Sequence, residues 1–354
     1  MAPACTVLID TYNHERFIEQ AIISVLEQDF PRSSMEILVV DDGSSDRTPE
    51  MVRKFEPQVR LLRKANGGQA SAFNAGIPEA KGGIVAFLDG DDWWARDKVK
   101  TITDYFAVKP HVGIVGHGIY EFDSTTNKAV STVPKLYREF RLESVPEATF
   151  FRQMMCFFGT SRVAVRREVL TRVLPIPLSL EVEADEFLSI MSVAHSTGGL
   201  IEQPLTFYRL HEDNLFQLRK LDEAKSRRIQ AVLVSLAKHL RVRLQSACIA
   251  PEVIHAIVEP LEVDSTQLRL MLDGGLRWET FQTERAKFRL AYKTGSTAYW
   301  IFKACVLACT LALPPRDFYK VREWYSGSKW RKARRLLGEP SSRAEISNVP
   351  TRLE

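Results

Sequence analysis

Apolar positions in the first hundred residues fall in short blocks separated by helical periods. Val7-Leu8-Ile9 is an apolar run closed by the polar turn Asp10-Thr11-Tyr12-Asn13. Ile18, Ile22, Val25 and Leu26 then fall at i, i+4, i+7 and i+8, one face of a helix. Residues 37–40 are apolar at every position, as a strand covered on both faces requires. They run into Asp41-Asp42-Gly43-Ser44-Ser45-Asp46, after which Thr48 and Pro49 read as a helix N-cap and first helical residue. Val59-Arg60-Leu61-Leu62 and residues 84–88 supply two more strands, and 113–118 a further strand or strand pair. Strands alternating with helices predict βαβ units, an α/β fold with a mostly parallel central sheet and flanking helices. Right-handed crossovers then line the strand-end loops along one edge of that sheet.

Beyond residue 215 the pattern changes. Ile229, Val232, Leu233, Leu236 and Leu240 share one helical side with Lys and Arg between them, and 216–297 reads as a helical region. Residues 298–313 are apolar, interrupted by Lys303 and closed by Pro314-Pro315. As a helix this segment reaches about 24 Å, short of the ~30 Å hydrocarbon core of a bilayer, so it does not read as membrane-spanning. Residues 316–337 are basic and aromatic, and 338–354 read as a flexible polar tail. No internal repeat is visible.

The 354 residues are 26% charged and 45% hydrophobic, which excludes wholesale disorder, collagen and coiled coil and leaves room for two or three domains. The net charge of +4 conceals an asymmetry. Residues 1–215 hold 23 Lys/Arg against 30 Asp/Glu, whereas 216–354 hold 25 against 14. An acidic working module is thus joined to a basic half. The cysteines at 5, 156, 248, 305 and 309 show no zinc-like spacing, and their odd number fits a reduced, cytoplasmic chain. Cys305 and Cys309, four apart in the apolar segment, read as packing. The N-terminal residues lack the basic and apolar regions of a secretory signal.

Two acidic clusters follow buried strands directly: Asp41-Asp42 and Asp89-Gly90-Asp91-Asp92. In an open parallel sheet, ligands bind beyond the carboxyl ends of the strands. Like charges packed this closely raise one another's pKa unless a cation or hydrogen-bond donors compensate. Mg²⁺ or Mn²⁺ suits such a site, because hard cations take carboxylate and diphosphate oxygens. Between the clusters lies Asn66-Gly67-Gly68, opening a segment read as a helix that presents its N-terminus to phosphate.

Four motifs in order, Asp10-Thr11-Tyr12-Asn13, Val39-Val40-Asp41-Asp42-Gly43-Ser44-Ser45-Asp46, the run from Asn66 to Gly76, and Phe87-Leu88-Asp89-Gly90-Asp91-Asp92, resemble those of inverting glycosyltransferase family 2 over about the first 215 residues. The resemblance implies a GT-A fold over 1–215 and transfer of a sugar from a nucleotide-diphosphate donor to an acceptor hydroxyl, in cell-surface polysaccharide or glycolipid synthesis. It implies that Thr11 and Tyr12 flank the nucleotide, Tyr12 stacking on the base. Glu15, Asp42, Gly68, Asn74, Asp89 and Arg209 would complete the donor site. Asp91, Asp92 and His211 would hold the metal, which neutralises the departing diphosphate. The chain departs from the family at Asp10, where proline is frequent, and at Phe73, where arginine is frequent. That leaves donor neutralisation to the metal or to a base such as Lys64.

An inverting transfer needs a general base. The family places a carboxylate at a helix start some way after the second acidic cluster. Here that is Glu181-Val182-Glu183-Ala184-Asp185-Glu186, with Asp185 chosen as base and Glu186 as runner-up. The later Tyr208-Arg209-Leu210-His211 is similar to a closing segment of the family. A strand there would put Arg209 and His211 on one face. Trp93 and Trp94 are candidates to floor an acceptor sugar. Cys156-Phe157-Phe158 before Gly159-Thr160-Ser161 read as core and acceptor-loop backbone.

Other functions have weaker support. An aspartate-dependent phosphotransferase would want DxDx[TV] after the first strand, where Asp10-Thr11-Tyr12 stands. A non-catalytic sugar-nucleotide binder or membrane-associated assembly component is the alternative left by the departures at 10 and 73 and by Ala184-Asp185-Glu186, where the family frequently has a Glu-Asp pair. Residues 298–337 combine an apolar stretch with 8 Lys/Arg against 2 Asp/Glu over 316–335, a composition suited to an anionic leaflet. The expected location is therefore cytoplasmic, peripheral on the inner face of the membrane. Nucleic acid is not expected as a partner, since the acidic first half repels it.

Overall fold

The computed structural model of the protein describes residues 2–134, 138–211, 223–290, 297–326 and 344–346. The first stretch alternates as its apolar pattern predicts: β1 (Cys5–Thr11), α1 (Ile18–Leu26), β2 (Met35–Asp41), α2 (Thr48–Arg53), β3 (Arg60–Arg63), α3 (Gln69–Glu79) and β4 (Ile84–Asp89). β1 pairs in parallel with both β2 and β4, and β2 with β3. Val7, Leu8, Ile9, Leu38, Val39, Val40 and residues 85–88 are all fully buried, which is why their runs lack polar alternation. α1 covers one face through Ile18, Ala21, Ile22 and Val25.

Past β4 the chain turns antiparallel. β5 (Trp93–Trp94), α4 (Lys98–Val108), β6 (Val112–Asp123), β7 (Lys128–Thr132), α5 (Val145–Met154), β8 (Val163–Arg166), α6 (Arg167–Val173), α7 (Ala184–His195) and β9 (Thr197–Leu210) follow. β8 pairs antiparallel with β4 and β6, so the order runs β7-β6-β8-β4-β1-β2-β3. β9 pairs in parallel with β6 and antiparallel with the short β5. The strand expected at 113–118 is therefore one twelve-residue strand, and the strand expected at 205–210 begins at Thr197. Gly113, Gly116, Gly118, Gly198 and Gly199 dilute the apolar signal of both.

Thr48 does not cap α2. Its hydroxyl accepts the His14 N–H at 2.9 Å, and Asp46 accepts the Thr48 N–H at 2.9 Å. The capping carboxylate is thus two residues earlier, which frees Thr48 to tie the loop after β1 to that after β2.

The chain divides into two compact units. One comprises Met1–Asn214, His239–Ile254 and Arg343–Glu354, the other Leu215–Lys238 and His255–Ser342. The helical region is built from α8 (Glu223–Ser246), α9 (Pro251–Asp273), α10 (Arg277–Leu290), α11 (Thr297–Ala312) and α12 (Pro315–Ser326). Both α8 and α9 contribute to each unit. Cys305 and Cys309 are exposed, contrary to the packing expected of them. No helix among the described residues is long and apolar enough to cross a membrane. Within the expected tail, β10 (Ala344–Ile346) pairs antiparallel with β7. Its remainder, and 327–337 of the expected basic arm, lie outside the described residues.

Ile9 sits on β1 between β2 and β4 and is fully buried. Ile9→Ala is expected to lower the unfolding free energy by about 2–5 kcal/mol, read as a fall in denaturation midpoint. A loss under about 1 kcal/mol would contradict this account of the core.

Candidate active site

The ends of β1, β2 and β4 carry the site. The loop after β1 is zipped to the loop after β2. Asn13 N–H donates to Ser44 Oγ at 2.9 Å and Ser45 N–H to Asn13 Oδ1 at 2.8 Å. Thr11 is buried, and its Oγ1 lies 3.2 Å from His14 Nδ1. Tyr12 is 45% exposed, a free aromatic face at the rim. Glu15 accepts from the Arg47 N–H at 3.1 Å and from its guanidinium at 3.2 Å.

Asp42 is buried and its carboxylate is occupied. It accepts from Lys64 Nζ at 2.6 Å and from the Gly68 N–H at 2.7 Å, with the Gly67 N–H at 3.1 Å. Lys64 is thereby committed to Asp42. Gly68 has φ +79°, and a Cβ there would stand 2.6 Å from Glu181 Cα. The missing side chain makes room for the chain at 181, which crosses the start of α3. Asn74 clamps Ile176 at both ends of its amide: Oδ1 accepts the Ile176 N–H at 2.8 Å and Nδ2 donates to the Ile176 carbonyl at 2.7 Å. That amide holds the fold, contrary to the donor contact expected of it. Phe73 is buried against Phe87, with centroids 5.2 Å apart.

The second acidic cluster divides its labour. Asp92 is buried, and its Oδ1 accepts the Arg209 N–H at 2.8 Å. Burial and the Asp91 charge push its carboxyl up to about 7. Its Oδ1 serves β9, while its Oδ2 is buried without a hydrogen-bond partner. Asp91 Oδ2 meets His211 Nε2 at 3.0 Å and lies 3.9 Å from His14 Nε2. Burial raises the Asp91 carboxyl, but the His211 hydrogen bond and the two imidazoles outweigh it and hold it below the usual range. Arg209 reaches the backbone of the cluster, Nε donating to the Asp91 carbonyl at 2.8 Å, while its guanidinium lies 4.4 Å from the Trp93 ring centre. Gly90 is required by close approach. A Cβ there would fall 2.6 Å from Thr11 Oγ1 and 2.8 Å from His14 Nδ1.

Trp93 and Trp94 are both buried, so neither floors an acceptor sugar. Trp93 stacks on Phe207 at 5.0 Å and Trp94 lies under Lys98, whose Nζ is 3.8 Å from its ring centre. Their pairing with β9 is what delivers Arg209 and His211 to Asp91.

α7 brings the third carboxylate group. Its N-cap, Glu183, is left-handed at φ +61°, a conformation uncommon outside glycine. Asp185 Oδ2 accepts the Thr160 N–H at 2.9 Å and the Thr160 hydroxyl at 3.1 Å. Burial raises the Asp185 carboxyl against those hydrogen bonds and Arg162. Glu186 is ion-paired with Arg152. Burial, then Asp185 and Asp91, hold the Asp10 carboxyl well above its ordinary range. Asp89 is raised in the same way by burial and by Asp10. Among the described residues, no three acidic, imidazole or thiol groups stand ready as a metal cage. His14, Lys98 and Arg152 join the site without having been singled out from sequence, and Thr160 and Ser161, read there only as acceptor-loop backbone, join it through their side chains.

Comparison with known proteins bears on the fold around this site. The glycosyl transferase family 2 model matches residues 6–170. Over those residues the chain is similar to that family. It is 36% identical over 216 residues to the uncharacterized glycosyltransferase alr2836 of a Nostoc strain, a match covering 59% of this chain and 65% of that one. The chain thus spans just under two thirds of that relative. The fold is shared with Staphylococcus aureus TarS 1-349, solved with UDP-GlcNAc, at TM-score 0.53 and 18% identity over 82% of this chain and 93% of that one. It is also shared with the mannosyltransferase PcManGT of Pyrobaculum calidifontis, solved with GDP-Man and Mn²⁺, at TM-score 0.52 and 20% identity over 95% and 84%. The expected GT-A fold is therefore observed.

Arg152 and Glu186 are each about one-sixth exposed. Arg152→Met leaves that carboxylate, and the neighbouring Glu183, without a cation. It is expected to cost about 1–3 kcal/mol of stability, measured by urea titration. An unchanged midpoint would reject the pair as a support of the α7 start.

Proposed function

We propose that the protein is a metal-dependent inverting glycosyltransferase moving a sugar from a nucleoside-diphosphate donor to an acceptor hydroxyl, in polysaccharide or glycolipid synthesis. One observation carries the reading. Asp185, far along the chain from the second acidic cluster, accepts hydrogen bonds from Thr160 while the adjacent Ser161 donates to Asp89, so the two carboxylates flank one turn. A poised carboxylate thus faces a set of acids that suits a cation and a diphosphate.

The donor would lie along the strand ends with its base against the exposed ring of Tyr12, near Thr11 and Glu15. Asp42 acts indirectly, by shaping the Gly67–Gly68 turn. The residues fit a divalent cation. Asp10 Oδ1 is buried without a hydrogen-bond partner, and the acids here outnumber the cations that face them. Asp91 and His211 would hold Mg²⁺ or Mn²⁺ in place of their mutual hydrogen bond. When bound, the cation offsets charge on the leaving diphosphate. Asp185 takes the acceptor hydroxyl's proton as that oxygen attacks the face opposite the leaving group. Since the base works ionised and burial raises it, activity falls on the acid side at a pH above the ordinary carboxylate range.

The solved relatives' UDP-GlcNAc and GDP-Man direct a first panel of UDP-, GDP- and dTDP-sugars, read by thermal shift with Mn²⁺. With the donor so found, Asp185→Asn is expected to lower kcat by about 10²–10⁴ while calorimetric donor affinity stays. Asp91→Ala is expected to lose Mn²⁺-dependent donor binding. Full turnover in Asp185→Asn would remove it as base, and donor binding without turnover on any acceptor would favour a non-catalytic binder.

We further propose that the C-terminal arm meets an anionic membrane surface. Ile301 and Leu311 on α11 and Val321 on α12 are 61, 45 and 53% exposed within the basic half. Liposome flotation with phosphatidylserine is expected to recover the full chain and not a chain ending before residue 298. Equal recovery would reject the arm as an anchor.

A further inference from the structure

Thr160 and Ser161 are neighbours on a single turn of 3₁₀-helix, and each grips a different carboxylate of the site. The Thr160 hydroxyl accepts from Gln69 Nε2 at 2.9 Å, so its own proton is directed at Asp185 Oδ2, 3.1 Å away. The Ser161 hydroxyl accepts the Asp89 N–H at 3.0 Å, so its proton is directed at Asp89 Oδ2, 3.2 Å away. Both residues are buried. The carbonyl of Ser161 is held from behind by Lys98 Nζ at 2.7 Å and by the Thr206 hydroxyl at 2.5 Å. Lys98 itself is fully buried, which drives its ammonium well below the usual range. Gln69 closes the circuit by accepting the Ala184 N–H at 3.0 Å, at the first residue of α7.

We propose that this turn is the positioning element of the site, Thr160 setting Asp185 on the acceptor side and Ser161 setting Asp89 on the donor side. The inference rests on Asp185 as base. Two hydroxyls issuing from consecutive residues, with the Thr160 N–H as a further donor to Asp185 at 2.9 Å, leave the two carboxylates little freedom to move independently. Fixing reacting groups in this way is worth rate because misplacement of about 1 Å costs about 10²-fold. The charged groups facing Asp185 are Arg162 on the turn, Glu183 and Glu186 on α7 with Arg152 behind them, Asp10 from β1 and Asp89 from β4.

The two halves of the turn predict different kinetic signatures. Thr160→Val keeps the backbone N–H and the shape but removes a donor that favours ionised Asp185. The acid limb of kcat is expected to move to higher pH by about one unit, with donor KM unchanged. Ser161→Ala is expected to raise donor KM about tenfold and leave that limb in place. Thr160→Ser restores the hydroxyl and the original profile. Gln69→Met, which releases both the Thr160 hydroxyl from its second partner and the Ala184 N–H at the start of α7, gives the same direction with a smaller shift and replaces Thr160→Val should that variant not fold. If both turn variants move KM and the pH limb together, or neither moves either, while Asp185→Asn is inactive, the positioning assignment fails and the base stands. If Asp185→Asn is fully active, the base reading fails instead.

Discussion

Asp10, the Asp89–Asp92 cluster and Asp185 bring acids from three separate stretches of chain to one end of the sheet, and their mutual repulsion shapes what surrounds them. Burial and neighbouring acids raise Asp10, Asp89 and Asp92 together. Only Asp91 is held low, because His211 and His14 stand against it. Much of the local structure contains this surplus without cancelling it. Arg209 spends its guanidinium on backbone and Gln20, Ser161 and Thr160 offer neutral hydroxyls, and the nearest buried ammonium, Lys98, is turned toward a carbonyl. A fold aiming only at stability would place arginines on these carboxylates. The balance left here suits a partner that arrives with its own cation.

Much of the fold was legible because burial on both faces forces uninterrupted apolar runs, and residues 37–40 and 84–88 have them. The antiparallel half was harder to read. β6 and β9 are threaded with glycines that admit Phe140, Phe158 and Tyr105 beside the backbone, and that signal lies in shape more than in hydropathy. The acids were legible for the same reason as the strands: they stand where an apolar run stops. What they contact was not. Asn74 and Gly68 face chain segments a hundred residues away, and Trp93 and Trp94 point inward because β9 covers them. Thr160 and Ser161 carry ordinary side chains whose roles arise only when α7 and β4 arrive on either side.

The charge asymmetry has a counterpart in the two units, but the division does not fall at residue 215. Residues 239–254, from the second half, return to the first unit. There Arg243 donates to the Val173 carbonyl at 2.7 Å and reaches those of Arg172 and Pro175 at 3.4 Å. These are carbonyls at the end of α6 and just beyond it, groups that a helix leaves without internal partners.

Arg243 therefore makes the inherited sequence segment and the folding unit different objects. The family's signature ends at 170, yet a carbonyl just after it, that of Val173, is satisfied by a side chain 70 positions later. A recombination or cleavage that respected the signature alone would cut away this support. The portion of chain that natural exchange can carry intact is accordingly longer than its recognisable motifs, and the intervening residues 215–238 must travel with it.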